Sequence, residues 1–375
     1  MDFNLSTEQL ALQRMVREFT EREIEPVAAR IDRDGRLPDD LPRKVGATGL
    51  FGMTIPRQYG GSEAGNLSCI LAIEQLARSG TPVWWLVAFH NSIPECITQF
   101  GSADIKARYL PLSLKDTVFP SIQFTEEDTG SVPDALITTA RPDGDSYIIN
   151  GRKRFITFGA RDGYSVVYAR DESGKCTAFV MDKHSVGYSA PRTWELMGGG
   201  GIEAVDTCLE NVRVPEKNLL GSKGQGFNIL LSWIAIEKIE QCAACVGMAQ
   251  SALDEAVKYA GARMSRGKPI SSMQGIRWML AEMYAKLEAA RWLTYRTAFL
   301  QDRNAENWIT EAAAAKVFVV PATMEVVEMS RRIHGAYGYT GELKIERLYR
   351  AIAGSSVIAT SLEINKSIVG ASLAK

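Results

Sequence analysis

The chain has 375 residues, enough to bury a large core and to divide into two or three packed regions. Its 43 basic and 44 acidic side chains leave a formal charge of −1, with no excess to hold a polyanion, so nucleic acid and anionic membranes are excluded as main partners. No stretch reaches the roughly 18 apolar residues of a membrane span. The first residues carry neither an apolar leader core nor an Arg- and Ser-rich presequence, and a cytoplasmic protein is expected.

From Ser6 to about Leu114 the pattern is helical: Leu10, Leu12, Met15, Val16 and Phe19 recur at three- and four-residue steps, and Pro38, Pro42, Gly60-Gly61 and Pro82 punctuate it. From about Val118 to Pro215 the texture changes to short β-rich runs, namely Thr138–Ala140, Tyr147–Ile149, Tyr164–Tyr168 and Thr177–Met181. Pro142-Asp143-Gly144-Asp145 reads as a hairpin turn between the first two. From Gly226 onward four long helical segments follow, broken near Arg266-Gly267, Asp302–Asn304 and Gly335–Gly341. The six cysteines are scattered and read as reduced thiols. Cys242-Ala-Ala-Cys245 has metal spacing, but it lies in an apolar helical run without a second pair or a nearby His, so core packing is expected and no metal. His90, His184 and His334 share no metal-ligand spacing.

Two stretches in the β-rich block carry chemistry. Phe124-Thr125-Glu126-Glu127-Asp128-Thr129-Gly130-Ser131 offers hydroxyls and a tight turn whose N–H groups can face an electron-rich ring edge. Asn150-Gly151-Arg152-Lys153-Arg154-Phe155-Ile156-Thr157 offers an aromatic two residues from a hydroxyl, hence on one strand face. Together they resemble the acyl-CoA dehydrogenase family, whose corresponding stretches read roughly T-E-x-x-x-G-S and N-G-x-K-x-[WF]-I-T. The resemblance extends over nearly the whole chain, through Leu5–Gln9, Ile55–Gly61, Tyr259-Ala260 with Arg263 and Gly267–Ile270, and Gly335–Thr340 with Glu346-Arg347 and Arg350.

This resemblance implies an α+β fold, mostly α: an N-terminal helical domain over 1–115, a middle β-barrel-like domain over 116–225 and a C-terminal four-helix bundle over 226–375. It implies FAD as cofactor, with Thr125, Gly130, Ser131, Phe155 and Thr157 lining the isoalloxazine, Phe155 packed on its face and Thr157 near N5. Arg263, Ser265 and Gln274 would serve the pyrophosphate and adenosine across a subunit boundary, joined by Arg332, Ala336 and Ser361. The implied partners are an acyl-CoA or acyl carrier protein thioester, an electron-accepting flavoprotein, and further copies of the chain in a homodimer or homotetramer. The chain departs from the family at Arg266, where Phe is usual, and at Arg332, where Gln is usual. An added guanidinium there suits a phosphate.

The base is the informative departure. Where most of the family carries its catalytic Glu, followed by Gly and Thr, this chain reads Ala359-Thr360-Ser361. A second arrangement, seen in isovaleryl-CoA and long-chain types, takes the Glu from an earlier helix just before a basic residue, and that position here is Glu237, followed by Lys238. Trp233, Ile234 and Ile236 surround it in sequence, so desolvation should raise its pKa and strengthen it as a base. Glu240, one turn on, is the fallback. Met197 and Gly198–Gly201 form either a lid loop or a plain connector. The leading expectation is a dehydrogenase placing a double bond between the α and β carbons of an acyl thioester. The alternatives are a flavin monooxygenase or oxidase on the same fold and a non-catalytic thioester-binding paralogue.

Overall fold

The computed structural model describes residues 4–130 and 135–374. Its first part is helical: α1 (Thr7–Phe19), α2 (Ala28–Asp34), α3 (Leu41–Gly46), α4 (Asn66–Ala77), α5 (Trp84–Phe100) and α6 (Ala103–Leu112). The α1 N-terminus is a reciprocal cap, in which Gln9 N–H donates to the Ser6 hydroxyl and Ser6 N–H donates to the Gln9 side chain. α4 and α5 are buried on nearly every side and pack into the interior, as their all-round apolar sequences require.

The middle part is a sheet built from β1 (Ser121–Gln123), β2 (Thr139–Asp143), β3 (Ser146–Ile156), β4 (Tyr164–Arg170), β5 (Cys176–Asp182), β6 (Tyr188–Thr193), β7 (Val205–Pro215) and β8 (Leu219–Leu220). The strands run in the order β6-β7-β3-β2-β4-β5-β8, with β1 parallel to β4. The expected hairpin is present: Asp143 pairs with Ser146 across Gly144 and Asp145. A separate small core of Ala140, Tyr147, Ile149, Val167, Phe179 and Val212 lies within this sheet.

Helices return with α7 (Gly226–Ala262), a short hairpin of β9 (Met264–Ser265) and β10 (Lys268–Pro269), then α8 (Gln274–Asp302), α9 (Trp308–Ile333), α10 (Lys344–Ala353) and α11 (Leu362–Leu373). α7, α8 and α9 pack on one another, α11 on α9, and α4 against both α7 and α8. The α4–α7 approach needs Gly247, since a Cβ there would stand 2.0 Å from the Glu74 carbonyl oxygen. The last expected helical segment is in fact two. Between α10 and α11 the chain turns through Ala359 and Thr360, whose φ values of 53° and 73° are left-handed and end any helix.

Candidate active site

A buried lysine locks the two chemistry-bearing stretches to each other. Arg154 N–H donates to the Thr125 carbonyl at 2.8 Å, and beneath it Lys153 Nζ reaches Glu126 Oε1 at 2.8 Å, the Tyr168 carbonyl at 2.8 Å and the Phe124 carbonyl at 3.2 Å. Glu126 in turn accepts the Ile137 and Thr138 amides at 2.7 and 3.0 Å. Burial alone would raise the Glu126 carboxyl, but Lys153 and those amides bring it below its usual range. Burial lowers Lys153 to about 8 against the pull of Glu126. Sequence reasoning passed over Lys153 as a site-building residue, although it stands in the N-G-x-K motif.

The placement of Phe155 and Thr157 on one strand face needs correction. β3 bulges between Lys153 and Ile156, Phe155 takes a left-handed φ of 56°, and Thr157 lies past the strand end, so simple alternation does not relate the two. The bulge turns Phe155 outward. The residue is 50% exposed, and its ring packs at 4.7 Å on Trp194, tilted by 36°; the Trp194 indole N–H is fixed by Asp206 at 2.7 Å. Gly130 lies beside Thr125, with room for a Cβ 3.7 Å from its methyl. Among the described residues, neither the Thr125 nor the Thr157 hydroxyl has an intramolecular hydrogen bond. An open aromatic face, two free hydroxyls and an exposed glycine turn fit the rim of a planar, polar-edged ring. Ser131 lies outside the described residues.

The base candidate sits across an aromatic seam from this rim. Phe158 meets Phe89 at 6.2 Å, and Phe89 meets Trp233 at 6.0 Å, one turn before Glu237 on α7. Glu237 is 7% exposed, and burial raises its carboxyl to about 7 against the attraction of Lys316 and Lys238. Glu240 is buried more deeply and is pushed further up by burial, by Glu237 and by Glu95 of α5. Among the described residues, Glu240 Oε2 and Glu95 Oε2 have no hydrogen-bond partner. Burial raises Glu95 itself to about 7. Ser361 caps α11 through Ile364 N–H, directly after the turn that carries Ala359. Lys316 bonds to that turn, a contact that nothing in its Ala-rich surroundings in sequence announces. Cys242 and Cys245 are buried in α7, where burial pushes both thiols up, and among the described residues no cluster could hold a metal.

Arg263, Gln274, Arg332 and Ala336 are all exposed, and Ser265 is half-buried. Arg266 and Gly267, both at positive φ, make the tight turn between β9 and β10. The Tyr259 and His334 rings meet at 4.5 Å, and thereby bring the C-terminal ends of α7 and α9 together. The glycine run is held in place: Cβ atoms on Gly198 and Gly200 would stand 2.4 Å from the Arg350 backbone and 2.8 Å from the Asp32 carbonyl. Met197, just before it, is 66% exposed. Among the described residues no helix is long and apolar enough to cross a membrane.

Three family models cover the chain: the acyl-CoA dehydrogenase N-terminal domain at residues 6–116, the middle domain at 121–212 and the C-terminal domain at 224–374. The chain is 34% identical to an acryloyl-CoA reductase (NADH) of Anaerotignum propionicum, over 100% of this chain and 96% of that protein. It is 31% identical to the caffeyl-CoA reductase-Etf complex subunit CarC of Acetobacterium woodii, over 99% of both. The butyryl-CoA dehydrogenase structure from Megasphaera elsdenii superposes with a TM-score of 0.95 at 30% identity, over 100% of both chains. The helix–sheet–helix order and these matches together place the chain in the acyl-CoA dehydrogenase family, flavoprotein oxidoreductases that act on carbon–carbon bonds.

Proposed function

We propose that the chain is an FAD-dependent acyl-CoA dehydrogenase that introduces an α,β double bond, with Glu237 as its base. The observation carrying this reading is one carboxyl, nearly buried on α7 and poised at about 7, beside the turn where Ala359 leaves the family's usual position without an acceptor. A base near the working pH both takes and releases a proton readily. Glu237 Oε would take the proton from the carbon next to the thioester carbonyl. FAD, when bound, supplies the acceptor for the hydride leaving the neighbouring carbon. Phe155 and Trp194 would give the ring a stacking face, Thr125 and Thr157 would bond its polar edge, and Gly130 would let the backbone approach.

CoA is the carrier favoured, because the named relatives act on CoA thioesters. The name of the CarC relative supports an electron-transferring flavoprotein as the redox partner. Arg263, Ser265, Gln274, Arg332 and Ala336 would hold the pyrophosphate and adenosine at a subunit boundary in a cytoplasmic homodimer or homotetramer. Exposed Trp278, Tyr284, Trp292 and Phe299 along α8 support such an association. The test is an anaerobic titration of the purified flavoprotein with a panel of acyl-CoAs, in the wild type and in Glu237→Gln. Bleaching by at least one acyl-CoA, lost in a variant that keeps its FAD, is the expected result. Near-normal bleaching by Glu237→Gln would end the assignment.

A further inference from the structure

A tier of buried rings runs between Thr157, proposed to meet the flavin, and Glu237. Phe158 follows Thr157 in the chain, and its ring meets that of Phe89 on α5 edge-on at 6.2 Å. Phe89 in turn meets Trp233 of α7 at 6.0 Å, one turn before Glu237. Behind Phe89 stands Trp85 at 5.1 Å, which stacks on Trp84 at 4.3 Å. None of the five is more than 6% exposed. Centroid separations of this size are contact distances for aromatic pairs, so no methylene fits between neighbours.

The rings are also tethered. The Trp233 indole N–H donates to Ser92 Oγ at 3.3 Å, and that hydroxyl donates to the Ala88 carbonyl at 2.9 Å, one turn back on α5. At the other end the Phe158 carbonyl accepts from Lys183 Nζ at 2.7 Å and from the Arg161 amide at 3.0 Å. α5 packs on α7 along this seam, so displacing one ring displaces its neighbours. A close-packed interior of this kind resists added volume.

In the reaction proposed above, the α carbon must lie within reach of the Glu237 carboxyl, and the β carbon beside the hydride acceptor near Thr157. Both carbons therefore lie along the line from Phe158 to Trp233, and every carbon beyond β faces the rings. We propose that this aromatic wall, on the reading of Glu237 as the base, restricts the substrate to short acyl-CoAs of about four carbons or fewer, with Phe89 and Trp233 setting the limit. An aryl acyl group is disfavoured as well, because the rings already pair with one another and leave no slot for another.

The experiment follows dye-coupled turnover of propionyl-, butyryl-, octanoyl- and 3-phenylpropionyl-CoA by the FAD-loaded wild type, Phe89→Ala, Phe89→Leu and Trp233→Phe. Calorimetry adds the binding of crotonyl-CoA and 2-octenoyl-CoA, enoyl products with no hydride to give. The wild type should show a kcat/KM for its better short substrate at least about 100-fold above those for octanoyl- and 3-phenylpropionyl-CoA. Phe89→Ala should raise the octanoyl-to-butyryl ratio about tenfold or more, with smaller rises in Phe89→Leu and Trp233→Phe. The calorimetric affinities should follow the same order. A wild type that prefers octanoyl- or 3-phenylpropionyl-CoA overturns the proposal, and so does an unmoved ratio in Phe89→Ala. Should Phe89→Ala fail to fold, the ratio in Phe89→Leu decides in the same sense. Glu237→Gln separates the two readings: turnover by that variant ends the base assignment, whereas an inactive Glu237→Gln that binds 2-octenoyl-CoA as tightly as crotonyl-CoA fails only the wall.

Discussion

Lys153 Nζ lies 2.8 Å from Glu126 Oε1 with both side chains sealed from solvent, and this pair ties the turn carrying Thr125 and Gly130 to the strand carrying Phe155. A buried pair adds little stability over apolar residues of the same shape, but losing one partner strands the other charge. Lys153→Met should therefore destabilise the protein by about 3–5 kcal/mol. Because the stranded Glu126 sits under the residues proposed to line the flavin, FAD should be lost at lower temperature than global unfolding. Flavin fluorescence followed against circular dichroism on heating checks this, and coincident, wild-type-like transitions would refute it.

The pH profile of the wild type follows from Glu237. Its carboxyl must be ionised to accept a proton, and its pKa is about 7. The rate of flavin reduction at saturating acyl-CoA should climb about tenfold per unit below that value and level off above it. Stopped-flow bleaching between pH 5.5 and 8.5, flanking that value, measures it. A flat profile across that span contradicts the assignment.

Stability should show the opposite slope, because Glu95 is raised from 4.5 to about 7 by burial. A carboxyl raised in the folded state contributes stability that is fully present below its unfolded pKa and is lost as pH rises through the folded value. The loss from Glu95 amounts to about 3 kcal/mol. Glu95→Gln keeps an oxygen for the Asn66 and Gln301 amides but cannot ionise. It should match the wild type near pH 5 and unfold several degrees higher near pH 8.5. Equal melting temperatures at both pH values would show that Glu95 is not ionised at a cost.

By the family resemblance, residue 359 and Glu237 are two positions from which the base can come, so a carboxyl placed at either should reach the same proton. Glu237→Gln should lower flavin reduction by about 10²–10⁴-fold. Adding Ala359→Glu to that variant should return part of the lost rate. Assays of both variants at equal FAD content decide it, and a double variant no faster than the single one would place the two positions apart.

The helix, strand and helix blocks were legible because hydrophobic period is local: Leu10 to Phe19 shows a helical step, and Tyr164 to Tyr168 a strand, whatever each packs against. The hairpin at Gly144 and the apolar neighbours of Glu237 were readable for the same reason. The left-handed bulge that turns Phe155 onto Trp194, the break at Ala359 and Thr360, and the meeting of Lys316 with the carbonyls of that break were not. Each depends on groups far apart along the chain, and a lysine in an Ala-rich helix reads alike whether it faces water or a buried turn. Sequence decided which residue types were at hand and on which elements they lay. Packing decided which charges lost their water together, and that dry interior raised the Glu237 carboxyl.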